Sequence, residues 1–360
     1  MIDDKNYNST WEYLFSYEHV ERITYMFLIP MVCIPGIVAA ILSAIVFARL
    51  RQNSLEILLC GLSLFDVIIL LSSIMLYPSM HECTRLENRV RQSSIVCHFF
   101  WKITVSIFPL SLIAQAGSIW TYVAVTVDRY IAVSFPIKKR VWATRKTSLT
   151  VLIFITVISA LFKLPSFFEV TLNENGEVVP TELRKNKFYI EFYLFYLYVA
   201  FMQVIPWTLI IFLNTIVIQK VRLAYRVQEA MIHGNPRSKR EDAERKVTIM
   251  ATVMTGIFII CNIPPGVNNL VDKYSDSTPY RQRIPLSNLL VCVNSASNMM
   301  IYCVFNSRFR RAALQLLGFH TKAPTRAGSV TTRISKDEKT GMLRSRISTF
   351  ETLNGTPVAC

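Results

Sequence analysis

The sequence predicts an all-α membrane protein, a seven-transmembrane helix bundle with a short amphipathic eighth helix. Three observations predict it. The 360 residues are 52% hydrophobic and only 18% charged, where a soluble domain averages about 25% charged. The apolar residues fall into seven runs near 24–48, 56–77, 102–129, 148–168, 190–218, 247–271 and 284–305, each about the length that crosses a bilayer. The charges between the runs are also sorted. Segments 49–56, 130–148, 219–246 and 306–360 hold 25 Lys and Arg against 8 acids, whereas 1–23, 78–101, 163–191 and 272–285 hold 12 against 14. Basic residues stay on the cytoplasmic side, which sets the N-terminus outside and the C-terminus inside. None of the runs alternates like a barrel strand, and a helix satisfies its own backbone in lipid.

The net charge of +15 raises nucleic acid as a partner. Its sorting to one membrane face excludes that reading and points to membrane lipids. The chain divides into an extracellular tail (1–23), the bundle (24–305), an amphipathic membrane-surface helix (306–318) and a disordered cytoplasmic tail (319–360). No cleavable signal peptide is evident, so the first span is expected to serve as an uncleaved signal. Asn8-Ser9-Thr10 in the outer tail is a glycosylation sequon.

The first span carries Pro30, Pro35 and Gly36. The second carries Asp66 in an otherwise apolar stretch. An intramembrane carboxylate is a functional candidate by default, and a structural hydrogen-bond node is the alternative. The third span holds Pro109, Gln115 and Ser118 and ends in Asp128-Arg129-Tyr130, followed by Pro136 and basic residues. Asp128 can hold Arg129 locally, and the guanidinium keeps donors free for another helix. A snorkelling interfacial arginine is the simpler alternative. The fourth span ends at Pro165 and Glu169, and Asn173–Gly176 marks a turn. The fifth opens with seven aromatics between Phe188 and Tyr198, and Pro206 then interrupts it. In the sixth, Phe258 precedes Cys261-Asn262-Ile263-Pro264-Pro265-Gly266, a kink signal. The seventh holds Asn294, Ser295, Asn298 and Tyr302. Phe309, Ala312, Ala313, Leu316 and Leu317 then fall on one helical face. Ser329, Ser335, Ser345, Ser348 and Thr349 follow arginines in the tail, where phosphorylation would add negative charge.

Of the eight cysteines, Cys33, Cys60, Cys261, Cys292 and Cys303 lie in apolar runs, where a buried thiol is the default. Cys83 and Cys97 lie outside, and a bond between them within one loop is expected in that oxidising compartment. There is no metal-ligand set, no nucleophile with a positioned base and no phosphate loop, so an enzyme is not expected. A transporter or channel is the rival from another class, but seven spans without internal repeats argue against it.

Taken together, Leu62 with Asp66, the Asp128–Tyr130 triplet, Pro136, Pro206, Phe258 with Cys261 and Pro264, Asn298 with Tyr302, and the Phe309 helix resemble the rhodopsin-like (class A) G-protein-coupled receptors. The stretches 109–133, 164–169, 181–193, 261–264 and 294–302 resemble the invertebrate FMRFamide-type neuropeptide receptors in particular. Departures from the wider family are Ala40 for an asparagine, Ile155 near a tryptophan, Asn262 for the sixth-helix tryptophan and Met299 for a proline. The usual third-helix cysteine would fall near Thr104, and the second outer loop has no cysteine, so the usual disulfide is missing.

The resemblance implies a plasma-membrane receptor without a cofactor, apart from an allosteric Na⁺ at Asp66, Ser118, Asn294, Ser295 and Asn298. An amidated peptide would enter from outside; another peptide or a small ligand is the alternative. Ser111 and Leu112 stand where amine receptors carry an aspartate. The pocket wall would comprise Ser111, Gln115, Glu169, Glu191, Tyr198, Met202, Asn262, Asn269, Asp272 and Asn288. Asp128, Arg129, Tyr130, Glu244, Phe258, Pro264, Asn298 and Tyr302 would form the activation switch, with Glu244 facing Arg129. Arg129, Pro136 and Ile137 would meet a heterotrimeric G protein. A receptor kinase and arrestin would act at the tail.

Overall fold

The computed structural model describes residues 17–50, 53–85, 95–173, 178–230, 239–274 and 283–318, without the side chains of Tyr17, Arg85, Tyr225 and residues 227–230, 239–244 and 272–274. The Asn8 sequon, the tail serines and Thr349, and the side chains of Glu244 and Asp272 lie outside the described residues.

Seven helices are long and apolar enough to cross a membrane: Glu18–Leu50, Ser54–Thr84, Ile95–Ser134, Arg145–Phe168, Tyr189–Ala224, Arg245–Val271 and Arg283–Phe305. They are called the first to seventh spans below. Several outrun the apolar stretches that announce them. Helix begins at Tyr17, inside the segment read as tail, and the third span begins at Ile95 rather than near 102. Hydropathy registers only the lipid slab, whereas helical hydrogen bonding continues past it into water.

Proline shapes two spans through wide turns. A π turn at Thr24–Leu28 precedes Pro30, and two more at Tyr189–Leu197 and Ala200–Val204 precede Pro206. Proline lacks an N–H and crowds the carbonyl four residues back, and an i→i+5 turn relieves both. The sixth span contains Pro264 and Pro265 without losing its helix. Between the fourth and fifth spans, Val170–Leu172 pairs antiparallel with Val178–Pro180, and the short helix Glu182–Lys185 follows.

The core sits between the helices. Phe47, Leu59, Leu62, Tyr122, Ile210, Met250, Met254, Phe258, Tyr302 and Phe309 are all buried in one cluster. The outward faces are apolar as well: Phe27, Met31, Ile34, Val38, Ile41 and Ile45 are exposed at three- and four-residue steps along the first span. In water such a stripe is unfavourable. In lipid it is the expected outer face, and packing rather than hydrophobicity holds the helices together.

Close packing leaves little room for a side chain at Gly117. A Cβ at Gly117 would lie 2.5 Å from two ring carbons of Phe65, itself a buried side chain of the second span. Overpacking of this kind costs about 1–3 kcal/mol. Gly117→Val is therefore expected to lower surface expression and thermal half-life in detergent, with Gly117→Ala milder; fluorescence-detected size exclusion after heating reads both.

The amphipathic helix Ser307–Leu316 follows the seventh span. Asn306 caps it by accepting hydrogen bonds from the backbone N–H groups of Arg308 and Phe309, both at 3.1 Å. Phe309 and Ala313 are buried, with Phe309 against the rings of Phe47 and Tyr302.

Candidate functional site

The end of the bundle that the charge distribution assigns to the outer side, and that is called outer below, contains a cavity of about 780 Å³. Phe108, Leu112, Lys163, Ser166, Glu169, Arg184, Lys187, Ile190, Glu191, Leu194, Phe195, Tyr198 and Asn269 line it. Of the residues expected at a pocket wall, it brings together Glu169, Glu191, Tyr198 and Asn269. Others are engaged elsewhere. Met202 is buried in the core cluster. The Asn262 side chain donates to the Phe258 carbonyl at 2.8 Å, and Asn288 donates to the Tyr25 hydroxyl at 3.1 Å. Ser111 and Gln115 are partly buried on the third span and do not line this cavity.

Glu169 organises the wall. It is 2% exposed. Its Oε1 accepts hydrogen bonds from Ser166 Oγ and Tyr189 OH, both at 2.9 Å. Its Oε2 accepts from Arg184 Nη1 at 2.6 Å. The Glu169 carbonyl also accepts from the Thr181 N–H at 3.0 Å. One carboxylate therefore ties the end of the fourth span, the loop and the start of the fifth together. Its acceptor capacity is largely used by the chain's own donors. Sequence reasoning missed Arg184, Tyr189 and Lys163. Their partners are set by a loop fold that a hydropathy pattern does not encode.

Cys83 and Cys97 are bonded, with Cα atoms 5.6 Å apart. They lie on the helix Ser54–Arg85 and the third span rather than within one loop, because both helices extend beyond their apolar runs. The bond staples the outer ends of those two spans.

A polar chain crosses the middle of the bundle. Asn298 Nδ2 donates to Asp66 Oδ2 at 2.8 Å, and Tyr122 OH donates to Asn298 Oδ1 at 3.0 Å. The Tyr122 ring stacks on Phe258, with centroids 4.5 Å apart. Second, third, sixth and seventh spans thus meet at Asn298 and Tyr122. Asp66 Oδ1, Asn294 Oδ1, Ser295 Oγ and the Tyr302 hydroxyl are buried with no hydrogen-bond partner. Ser118 is buried nearby in the sequence of the third span. Tyr122 was absent from the sequence expectation because a tyrosine in an apolar run reads as packing.

At the inner end, Asp128 holds Arg129. Asp128 Oδ2 accepts from both Arg129 Nε, at 3.1 Å, and Arg129 Nη2, while Asp128 Oδ1 accepts from Ser54 Oγ at 2.5 Å. Both charged residues are buried, at 5% and 4% exposure. Tyr130 instead meets the ring of Phe135 edge-on. The expected Glu244 contact involves a side chain outside the described residues. Two small cavities, of about 170 and 220 Å³, flank Arg129. Below them the helix Pro136–Trp142 begins, and Ile137 is 86% exposed.

The profile of the 7 transmembrane receptor (rhodopsin family) matches residues 37–302. The FMRFamide receptor of Drosophila melanogaster is 29% identical over 306 residues, covering 80% of this chain and 52% of that protein. In Caenorhabditis elegans, the probable G-protein coupled receptor frpr-1 is 28% identical, covering 82% of this chain and 79% of its own. The FMRFamide peptide receptor frpr-18 of the same organism is 27% identical, covering 80% and 67%. The chain thus spans about half the length of the Drosophila relative and more of the two others. With its profile match running from the first span to Tyr302 and seven membrane-length helices around a buried polar chain, this protein belongs to the rhodopsin family of seven-transmembrane receptors.

Proposed function

We propose that this chain is a neuropeptide receptor of the plasma membrane, its N-terminus outside, which binds an amidated peptide of FMRFamide type and opens a cytoplasmic groove to a heterotrimeric G protein. The observation that carries the reading is the outer cavity, whose wall alternates charged groups with Phe108, Leu112, Phe195 and Tyr198. A peptide ending in a basic and an aromatic residue finds both acids and ring faces there. Likeness to relatives named as FMRFamide receptors supports the same ligand class.

In this reading a bound peptide stabilises the state in which the sixth span swings outward about Pro264. It acts only through its differential affinity for the two states. The outer cavity borders the sixth span at Asn269, and the polar chain at Tyr122 and Phe258 links that span to the third. Release of Arg129 from Asp128 then exposes the guanidinium beside Ile137, the apolar knob for the partner. Asp66, Asn294 and Ser295 have orphaned oxygens that fit a hard cation, so these residues, with Ser118 and Asn298, would hold an allosteric Na⁺, which supplies positive charge that neutralises the buried carboxylate. A receptor kinase and arrestin would act at the tail.

Cells expressing the chain should respond, in calcium or cAMP, to amidated peptides ending Arg-Phe at low concentration, and respond far less to the free acids. Silence across such a panel, with surface expression confirmed, would remove the peptide assignment while leaving the family intact.

A further inference from the structure

Lys163 is the charged group that the clasp around Glu169 leaves over. It is 3% exposed, yet it lines the outer cavity. Its ammonium lies 4.4 Å from the centroid of the Tyr198 ring and 5.0 Å from that of Phe162. Glu169 is near enough for its charge to be felt. Its two oxygens, however, already take Ser166, Tyr189 and Arg184. Ring faces offset only part of the cost of burying an ammonium, and among the described residues no hydrogen bond from its N–H donors offsets the rest. Arg184 and Lys187 add two further cations to the same wall, against Glu169 and Glu191. Among the described residues, the fourth-span side of the cavity is thus short of acceptors.

We infer that Lys163 is a binding site for a carboxylate of the peptide, so that the preferred ligands carry an Asp or Glu in addition to a basic, amidated end. The inference rests on the peptide-receptor reading and deepens it: a peptide lies across the cavity with its acid at Lys163 and its base toward Glu191. A carboxylate there completes a charge-assisted pair beside the Tyr198 ring, where an amide offers only a neutral acceptor.

The test uses the full chain in cells and pairs of amidated peptides ending Arg-Phe that differ by Asp or Asn at one upstream position. On the unaltered receptor, the best-placed Asp peptide should be about tenfold more potent than its Asn partner, the scale of one charge-assisted hydrogen bond. Lys163→Gln should erase that difference by weakening the Asp peptide alone, and Lys163→Arg should keep it. Equal potency of every Asp and Asn pair on the unaltered receptor overturns the inference without any variant. So does a Lys163→Gln receptor, present at the surface, that loses both partners equally. Failure of all the amidated peptides on the unaltered receptor would instead overturn the peptide reading itself, and this inference with it.

Discussion

If the chain binds peptide as proposed, Glu169→Gln is expected to lower peptide potency by about 100-fold at matched surface expression. The site presents three donors to Glu169: Ser166 Oγ, Tyr189 OH and Arg184 Nη1. A carboxylate meets them with two acceptor oxygens. An isosteric amide offers one, and turns two N–H donors toward the rest. Hydrogen bonds to a charged group contribute about 1.5–3 kcal/mol each when both partners are desolvated. Arg184 is 44% exposed, so its share falls at the low end, screened by water. A net loss of roughly 2–3 kcal/mol remains, which is the fold-change stated. The consequence reaches the ligand because this ion pair joins the loop to the end of the fourth span at the cavity wall. The second outer loop has no cysteine, and the disulfide among the described residues staples the second span to the third instead. Glu169→Asp should retain the charge but not the reach, and fall between. Dose–response curves with radioligand saturation separate the two routes: a loss of affinity follows a distorted pocket. An unchanged Kd and potency would mean that the clasp is decorative and that the hairpin at Val170–Leu172 is held by its own pairing.

The fold was legible because the bilayer imposes a simple filter. Seven apolar runs and a sorted charge are enough to place seven helices, and the Phe309 face announces the helix that follows. Asp66 and Asn298 were expected in one cluster through the resemblance to the receptor family, and the structure joins them directly. The pocket wall was less so. Extrapolating an α-helical period along the fifth span puts Met202 in the cavity, but Met202 lies within the π turn Ala200–Val204 and after another. Each wide turn shifts the face that later residues present, and Met202 ends in the core. Asn262 failed for a local reason, since its side chain bonds the carbonyl four residues back on its own helix. Asn288 is held by Tyr25, a partner 263 positions away in the chain. Glu169 was singled out, but as a receiver for ligand, and its internal guanidinium partner came from the loop. Lys163 sits at the end of an apolar run, where a lysine ordinarily snorkels to water. Its burial depends on Tyr198 folding over it.

On the proposed receptor function, Asp128→Asn is expected to raise signalling in the absence of any peptide. In the structure Arg129 is held by Asp128, which is anchored in turn by Ser54 from the start of the second span. The arrangement keeps the guanidinium against its own helix. Removing one partner of a buried charge pair costs about 3–5 kcal/mol; proximity to water at this end of the bundle brings the value down, to about 2–3 kcal/mol. That energy stabilises the closed state and is absent once Arg129 is released. A receptor resting near 1% open would shift to several tens of per cent, since about 5.5 kcal/mol carries such an equilibrium from 1:99 to 99:1. Ser54→Ala removes only the anchoring hydroxyl, about 1.5 kcal/mol at the low end for a bond to a charged group, and should give a smaller rise in the same direction. Basal cAMP or calcium per receptor at the surface reads both. The opposite sign is informative too. If Asp128→Asn is silent and no longer answers peptide, Asp128 positions Arg129 for the G protein rather than restraining it, and the restraint must lie on the sixth span, where Glu244 is the residue to change next.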